Sequence, residues 1–259
     1  MIEIENLHKR FGQKIVLDGV SFNIPEGDSI CIIGKSGSGK SVMLKHIVGL
    51  LEPDEGLVKV DGQRIDKLNK KQIFELRRQM GFVFQGAALF DSMNVFENSI
   101  LGMYEHGVKD EKQLEKEAIR VLSAVQLLPE INDVGENVFN KEWQILKYKK
   151  PSDLSGGMRK RVGVARALVG MPKYIFYDEP TTGLDPVTSE QIDDLIAELS
   201  MRMKVTSVVI THDIFSVFRI AKTVAMLHEG KLRYFGDVLG LRNSQDEIVQ
   251  EFIDRFVRN

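Results

Sequence analysis

Only one cysteine occurs in the 259 residues, so no disulfide can form within the chain. That cysteine, Cys31, lies in an apolar run, Ser29-Ile30-Cys31-Ile32-Ile33, and fits a small core residue. Long hydrophobic runs are missing: none approaches the ~20 residues a membrane helix needs. The opening Met1-Ile2-Glu3-Ile4-Glu5 lacks the basic and apolar regions of a signal peptide. An excess of either charge is missing too. Lys and Arg number 35 against 37 Asp and Glu, a formal net charge of -2 that gives no sign of nucleic-acid binding. No internal repeat or low-complexity tract is visible. These absences predict a soluble, cytoplasmic chain that reaches a membrane only through a partner. Apolar residues are plentiful at 43%, enough for the core of one large domain or of a domain with a sizeable insertion.

One stretch organises the rest: Gly34-Lys35-Ser36-Gly37-Ser38-Gly39-Lys40-Ser41. An apolar strand precedes it. A helical pattern follows, with Met43, Leu44, Ile47, Val48 and Leu51 on one face. Strand, glycine loop and helix are the context in which G-x-x-x-x-G-K-S cradles a polyphosphate. The glycines let successive N–H groups curl around the phosphates, and the helix start adds its positive end. Lys40 would reach the β- and γ-phosphates, and Ser41 would supply a hydroxyl to Mg²⁺.

Before that loop, Ile2, Ile4, Ile15, Leu17, Val20, Phe22 and Ile24 alternate as in a β-ribbon, with Phe11 near its hairpin. Leu57 to Val60 ends in Asp61-Gly62, a hairpin signal. Lys70 to Arg77 predicts a short basic helix and Met80 to Phe84 a core strand. From Leu89 the pattern turns helical, over Asn94 to Tyr104 and Asp110 to Leu127. Patterning assigns no structure to 129–150. A helix after Leu154, strands over Tyr174 to Tyr177 and Val205 to Ile210, and a hairpin around Glu229-Gly230 complete an α/β core. Asp185, before Pro186, predicts a helix N-cap. The end carries a capping box, Ser244 with Glu247, and an apolar stripe of Val249, Phe252, Ile253, Phe256 and Val257.

Ligands of open α/β sheets sit outside the carboxyl ends of strands. Gln85, Asp178, Glu179 and His212 fall there. Two carboxylates closing a buried strand are costly unless they meet a metal or donors. Beside a phosphate loop, Mg²⁺–nucleotide is the natural partner. Asp178 would then hold the magnesium shell, and Glu179 would polarise the attacking water as general base. Gln85 would ligate Mg²⁺ or touch the water, and His212 would donate to the γ-phosphate. Ser155-Gly156-Gly157 joins a hydroxyl, two bare amides and a helix start. It is a second anion site that another subunit could place on the same nucleotide.

Taken together, the chain resembles the ATP-binding cassette (ABC) ATPases. The likeness covers nearly its whole length, with the motifs in the family's order: 34–41, Gln85, 154–158, Asp178-Glu179, Gly183-Leu184-Asp185 and His212. It implies a P-loop NTPase fold, an ABC nucleotide-binding domain with an N-terminal antiparallel β subdomain and an inserted helical subdomain. The expected divisions are 1–88 (β subdomain and first part of the core), 89–158 (helical subdomain with the signature), 159–242 (second part of the core) and 243–259 (amphipathic tail). The family further implies a head-to-tail pair of two copies. ATP and Mg²⁺ lie between one copy's 34–41 loop and the other's Ser155-Gly156-Gly157. Phe11 would stack on adenine and Asp185 would bridge the two sites.

A narrower likeness is carried by Phe84 to Asn98, by Leu154-Ser155-Gly156-Gly157-Met158-Arg159-Lys160-Arg161 and by Ser244 to Phe252. These are similar to Mla/Mce-type phospholipid-transport ATPases, although 129–150 looks longer than usual. That likeness implies an integral membrane permease, an Mce-domain lipid-binding protein and an accessory cytoplasmic subunit, with this chain peripheral on the inner face of the cytoplasmic membrane. Transporters of other substrates and soluble assembly ATPases of the iron–sulfur scaffold type share the general motifs.

Overall fold

Alternating apolar and polar residues at the start of the chain make an antiparallel ribbon with one buried face. A computed structural model describes residues 1–257, the side chains of 255–257 excepted. β1 (Ile2–Phe11) and β2 (Lys14–Ile24) pair from Ile2↔Ile24 to Phe11↔Lys14. Ile2, Ile4, Leu7, Leu17, Val20 and Ile24 are buried. β3 (Ser29–Ile33) is buried along its whole length, Cys31 included. After α1 (Lys40–Ile47), β4 (Glu55–Val60) pairs antiparallel with β1 and turns at Asp61-Gly62 into β5 (Gln63–Arg64). α2 (Lys70–Arg77) closes this stretch. Its Arg77 guanidinium donates to the carbonyls of Val48 (3.0 Å) and Gly49 (2.9 Å). α1 is shorter than the apolar spacing suggested. Gly49 takes φ 70°, the left-handed turn that stops a helix, so Leu51 lies beyond it.

The next stretch, Arg78–Leu195, clusters as a compact unit of its own. β6 (Met80–Val83) runs parallel to β7 (Tyr174–Asp178), with Met80 opposite Tyr174 and Val83 opposite Tyr177. Between them come α3 (Val95–Glu105), α4 (Glu111–Ala124), α5 (Ile131–Val134), α6 (Glu136–Lys147) and α7 (Gly156–Leu168). Asn94 caps α3 in a reciprocal capping box with Glu97. α4 stops at Ala124, short of Leu127, because Gln126 turns left-handed at φ 58°. The 129–150 segment forms α5 and α6. Its Trp143 is buried, donates to Glu115 at 2.7 Å and meets Phe96 edge-on at 6.1 Å. α8 (Pro186–Met203) starts in this unit behind the predicted cap, Asp185, which accepts from the Thr188 N–H at 3.0 Å.

From Ile196 the chain rejoins the unit of Met1–Arg77. Ser200 near the end of α8 bonds Ser207 of β8 (Thr206–Ile210) at 2.6 Å. α9 (Ile214–Ile220), β9 (Thr223–His228), β10 (Lys231–Asp237), α10 (Val238–Arg242) and α11 (Glu247–Val257) follow. β3 is the centre of this unit's sheet, parallel to β8 on one side and to β9 on the other, with β10 antiparallel outside β9. α11 is capped by Asp246, which accepts from Ile248 and Val249, rather than by the expected Ser244–Glu247 box. Ser244 instead closes a tighter turn onto the Asp246 N–H at 3.3 Å. Val249 and Phe252 are buried in the chain's own core, whereas the side chains of Phe256 and Val257 lie outside the described residues.

Candidate functional site

The glycine loop starts where β3 ends. Gly34 has φ 146°, and a Cβ there would run into the Leu227 carbonyl of β9 and the Ser38 hydroxyl. Gly39 has φ 103° and lies so close to β2 that a Cβ would come within 2.7 Å of the Val16 carbonyl. Only glycine meets both the dihedral and the clearance. The loop closes on Lys40, which is 7% exposed. Its ammonium donates to the carbonyls of Gly34 (2.7 Å) and Lys35 (3.2 Å), the latter also bonded by the Ser38 N–H (3.1 Å). The buried Ser38 hydroxyl has no hydrogen-bond partner among the described residues, and such a group calls for one. α1 opens at Lys40, so its first amides and positive end face the loop. Buried cation, orphaned hydroxyl and helix start together suit a polyphosphate.

His212 belongs to the same unit. It stands two residues past the end of β8, the strand beside β3, so it and the loop share the carboxyl end of one parallel sheet. Phe11 ends β1 half-exposed, with the Lys9 ammonium 5.7 Å from its ring centre. At the loop's edge, Lys35 pairs with Glu251 of α11 at 3.4 Å. Sequence patterning gave no sign of that contact.

The Arg78–Leu195 unit carries the other predicted residues. Gln85 lies just past the carboxyl end of β6, Asp178 closes its parallel partner β7, and Glu179 follows it. Glu179 sits at φ 52° and accepts from the Thr182 hydroxyl at 3.0 Å. Ser155 caps α7, accepting from the Met158 N–H at 3.2 Å. Gly156 and Gly157 press against Leu184 and Thr188, and a Cβ on Gly157 would approach the Thr188 methyl to 2.7 Å. This unit therefore brings the second glycine motif and Asp185 together. Hydrogen bonds from the Thr188 hydroxyl (2.6 Å) and N–H (3.0 Å) hold the Asp185 carboxyl below its ordinary value.

Sequence reasoning missed two cations in this unit. Lys160 is 5% exposed and donates to the Gln85 carbonyl. Arg166 donates to the carbonyls of Ala87 and Ala88, both at 2.7 Å. Burial pulls the Lys160 ammonium below its ordinary value, and the Glu179 carboxylate acts against that shift. Local sequence holds no signal for either contact, because the partners lie more than 70 residues away. Asn98 was missed as well. Fully buried, it bonds the N–H of Phe90 (2.8 Å) and the carbonyls of Phe90, Met93 and Asn94, pinning the 90–94 loop.

No helix among the described residues is long and apolar enough to cross a membrane. Comparison with known proteins gives one consistent result. The family model described as ABC transporter matches residues 17–182. A probable ribonucleotide transport ATP-binding protein, mkl, of Mycobacterium leprae is 34% identical over 98% of this chain and 68% of its own length. An intermembrane phospholipid transport system ATP-binding protein, MlaF, of Haemophilus influenzae is 33% identical over 98% of this chain and 90% of its own. Among solved structures, the dimeric post-hydrolysis state of the ATP-binding cassette MJ0796, bound to ADP and Pi, matches with a TM-score of 0.76. It is 32% identical and covers 92% of this chain and 99% of its own.

Proposed function

We propose that this chain, which belongs to the ABC transporter family and binds and hydrolyses ATP, powers a membrane permease that moves phospholipid. The observation that carries the ATPase half is the closed glycine loop with Lys40 buried inside it at the start of α1. The lipid half is supported by the extent of the MlaF likeness, which takes in 90% of that relative against 68% of the ribonucleotide-named one. The 84–98 and 154–161 stretches favour the same assignment.

In this reading the polyphosphate of ATP occupies the 34–41 loop, and Phe11 stacks on the adenine. Lys40 stabilises charge on the β- and γ-phosphates. Ser41, Gln85 and Asp178 offer only oxygen donors, which suits Mg²⁺, and the ion supplies further charge neutralisation when bound. Glu179 takes a proton from water as the water oxygen bonds to the γ-phosphorus and the bridging P–O bond breaks toward ADP. His212 donates to the departing phosphate. Ser155, Gly156 and Gly157 of a second copy close over the same nucleotide, and Asp185 bridges the two sites. Closure on ATP and release on hydrolysis drive the permease.

The permease contact belongs to the helices inserted between β6 and β7. There a cleft of about 660 Å³ opens between α3, α4 and α6, lined by Met93, Phe96, Ile100, Tyr104, Trp143 and Tyr148 among others. Its aromatic walls and mixed charges suit a protein segment. In this reading the chain lies on the cytoplasmic face of the membrane, and an Mce-domain lipid-binding protein and an accessory cytoplasmic subunit complete the assembly.

A detergent pulldown of the chain from its native membranes tests this. A multi-span permease arriving with an Mce-domain protein is the expected result. A permease with another binding protein would overturn the lipid assignment, and soluble partners alone would overturn transport.

A further inference from the structure

We propose that Lys160 is a positioning residue for hydrolysis: from α7 its buried ammonium grips the Gln85 carbonyl and holds the loop of residues 85–88 to that helix. The inference rests on the ATPase reading, in which Gln85 and Glu179 act on the nucleotide.

Three carbonyls between residues 85 and 88 are held by cations of one helix. Lys160 takes that of Gln85, and Arg166 takes those of Ala87 and Ala88. Between the two cations on α7 stands Gly163, which makes room for the loop. A Cβ there would approach the Ala87 Cβ to 3.3 Å. Ala87 and Ala88 take φ values of 61° and 47°, left-handed geometry that residues with a Cβ keep only when their surroundings hold them. Charge-assisted bonds from α7 are that hold.

An ammonium 5% exposed needs compensation for lost water. The Gln85 carbonyl supplies part of it, and the negative charge of Glu179 favours the ammonium form against the burial. Lys160 therefore ties the main chain at Gln85 to α7, although it touches no substrate. The helix that carries it also carries Ser155, Gly156 and Gly157 at its start. A shift of α7 moves the second anion site and the 85–88 loop together, so closure of a partner's nucleotide site on the glycines would be felt at Gln85 of the same chain.

The test uses the full-length chain with Lys160→Met, which keeps length and loses charge, and Lys160→Arg, which keeps charge. Steady-state ATPase is read together with amide hydrogen exchange of residues 86–89, where the Ala87 N–H bonds the Phe84 carbonyl at 2.9 Å. Expected for Lys160→Met are a kcat lower by about tenfold, a KM for ATP within about twofold, and loop exchange faster by about tenfold. Lys160→Arg should restore kcat to within about threefold of wild type. An unchanged kcat and unchanged loop exchange would overturn the proposal, as would a loss that Arg does not rescue. If Lys160→Met does not fold, Lys160→Gln carries the same expectations. Absence of any wild-type turnover that Lys40→Ala abolishes would count against the ATPase reading. The exchange measurement then still decides whether the clamp exists.

Discussion

Two lysines are almost wholly buried, Lys40 at 7% and Lys160 at 5% exposure, one in each compact unit, and main-chain carbonyls hold both amines. They differ in reach. Lys40 bonds a carbonyl six residues away, inside a loop whose glycines announce the geometry. Lys160 bonds one 75 residues away, across an inserted set of helices. The first site is built from backbone and is local. The second is built from side chains that the fold brings to a distant loop. The two lysines should therefore fail differently. Lys40 variants should lose nucleotide, and Lys160 variants should keep nucleotide and lose rate.

The largest effect is expected from Lys40→Ala. Removing the buried charge from the glycine loop should weaken ATP binding by about a thousandfold, measured by titration calorimetry. Retained affinity would erase the contrast with Lys160. Next is Trp143→Ala, which removes a buried indole, its bond to Glu115 and its edge contact with Phe96. Chemical unfolding should show a loss of about 3 kcal/mol, with ATP affinity within about twofold. A large change in affinity would mean that the inserted helices shape the phosphate loop itself.

His46, buried in the last turn of α1, the helix that Lys40 opens, sharpens the comparison by pH. Burial, the main cause, lowers its pKa from the ordinary 6.5, while its bond to the Val42 carbonyl acts the other way. The unfolded chain therefore takes up this proton first as pH falls. The stability tied to neutral His46 is full above about pH 6.5 and is lost below it, at no more than about 1.4 kcal/mol per pH unit. Melting temperatures between about pH 7 and 5.5 should fall in the wild type and flatten in His46→Gln. Equal slopes would place the titration elsewhere. The smallest effect is expected at the loop's edge. Glu251→Gln frees Lys35 from an exposed pair, and ATP affinity should rise by no more than about twofold, less at high salt. A salt-insensitive or tenfold change would show that α11 does more than screen one charge.

Much of the fold could be read from the chain because its signals are short-range. The ribbon, the strand before the glycine loop, the helices from Asn94 and Asp110, the cap at Asp185 and the Asp61-Gly62 turn all follow from neighbours in sequence. Patterning failed where longer contacts decide. α1 stops before Leu51 at Gly49, where Arg77 of α2 holds the Val48 and Gly49 carbonyls, and the α11 cap passed to Asp246, whose carboxylate is held by Arg233 of β10 at 2.5 Å. The 129–150 segment holds Phe139, Trp143 and Leu146 at helical spacing, all buried, but Gly135 splits it into two short helices, and Trp143 is fixed by Glu115 of α4 and Phe96 of α3. The site divides the same way. The glycine loop of 34–41 between strand and helix was legible, and so was Asp185 as a cap. Lys160, Arg166, Asn98 and the Lys35–Glu251 pair act through distant partners that no local spacing records.

The central claim is ATP hydrolysis with Glu179 as its base, and Glu179→Gln tests it most directly. Turnover by the purified chain and its size in ATP by light scattering should be measured for wild type and variant. The expected result is ATP binding unchanged within about threefold, turnover reduced by at least about a hundredfold, and a dimer that persists in ATP. Wild-type turnover in the variant would contradict the assignment of Glu179.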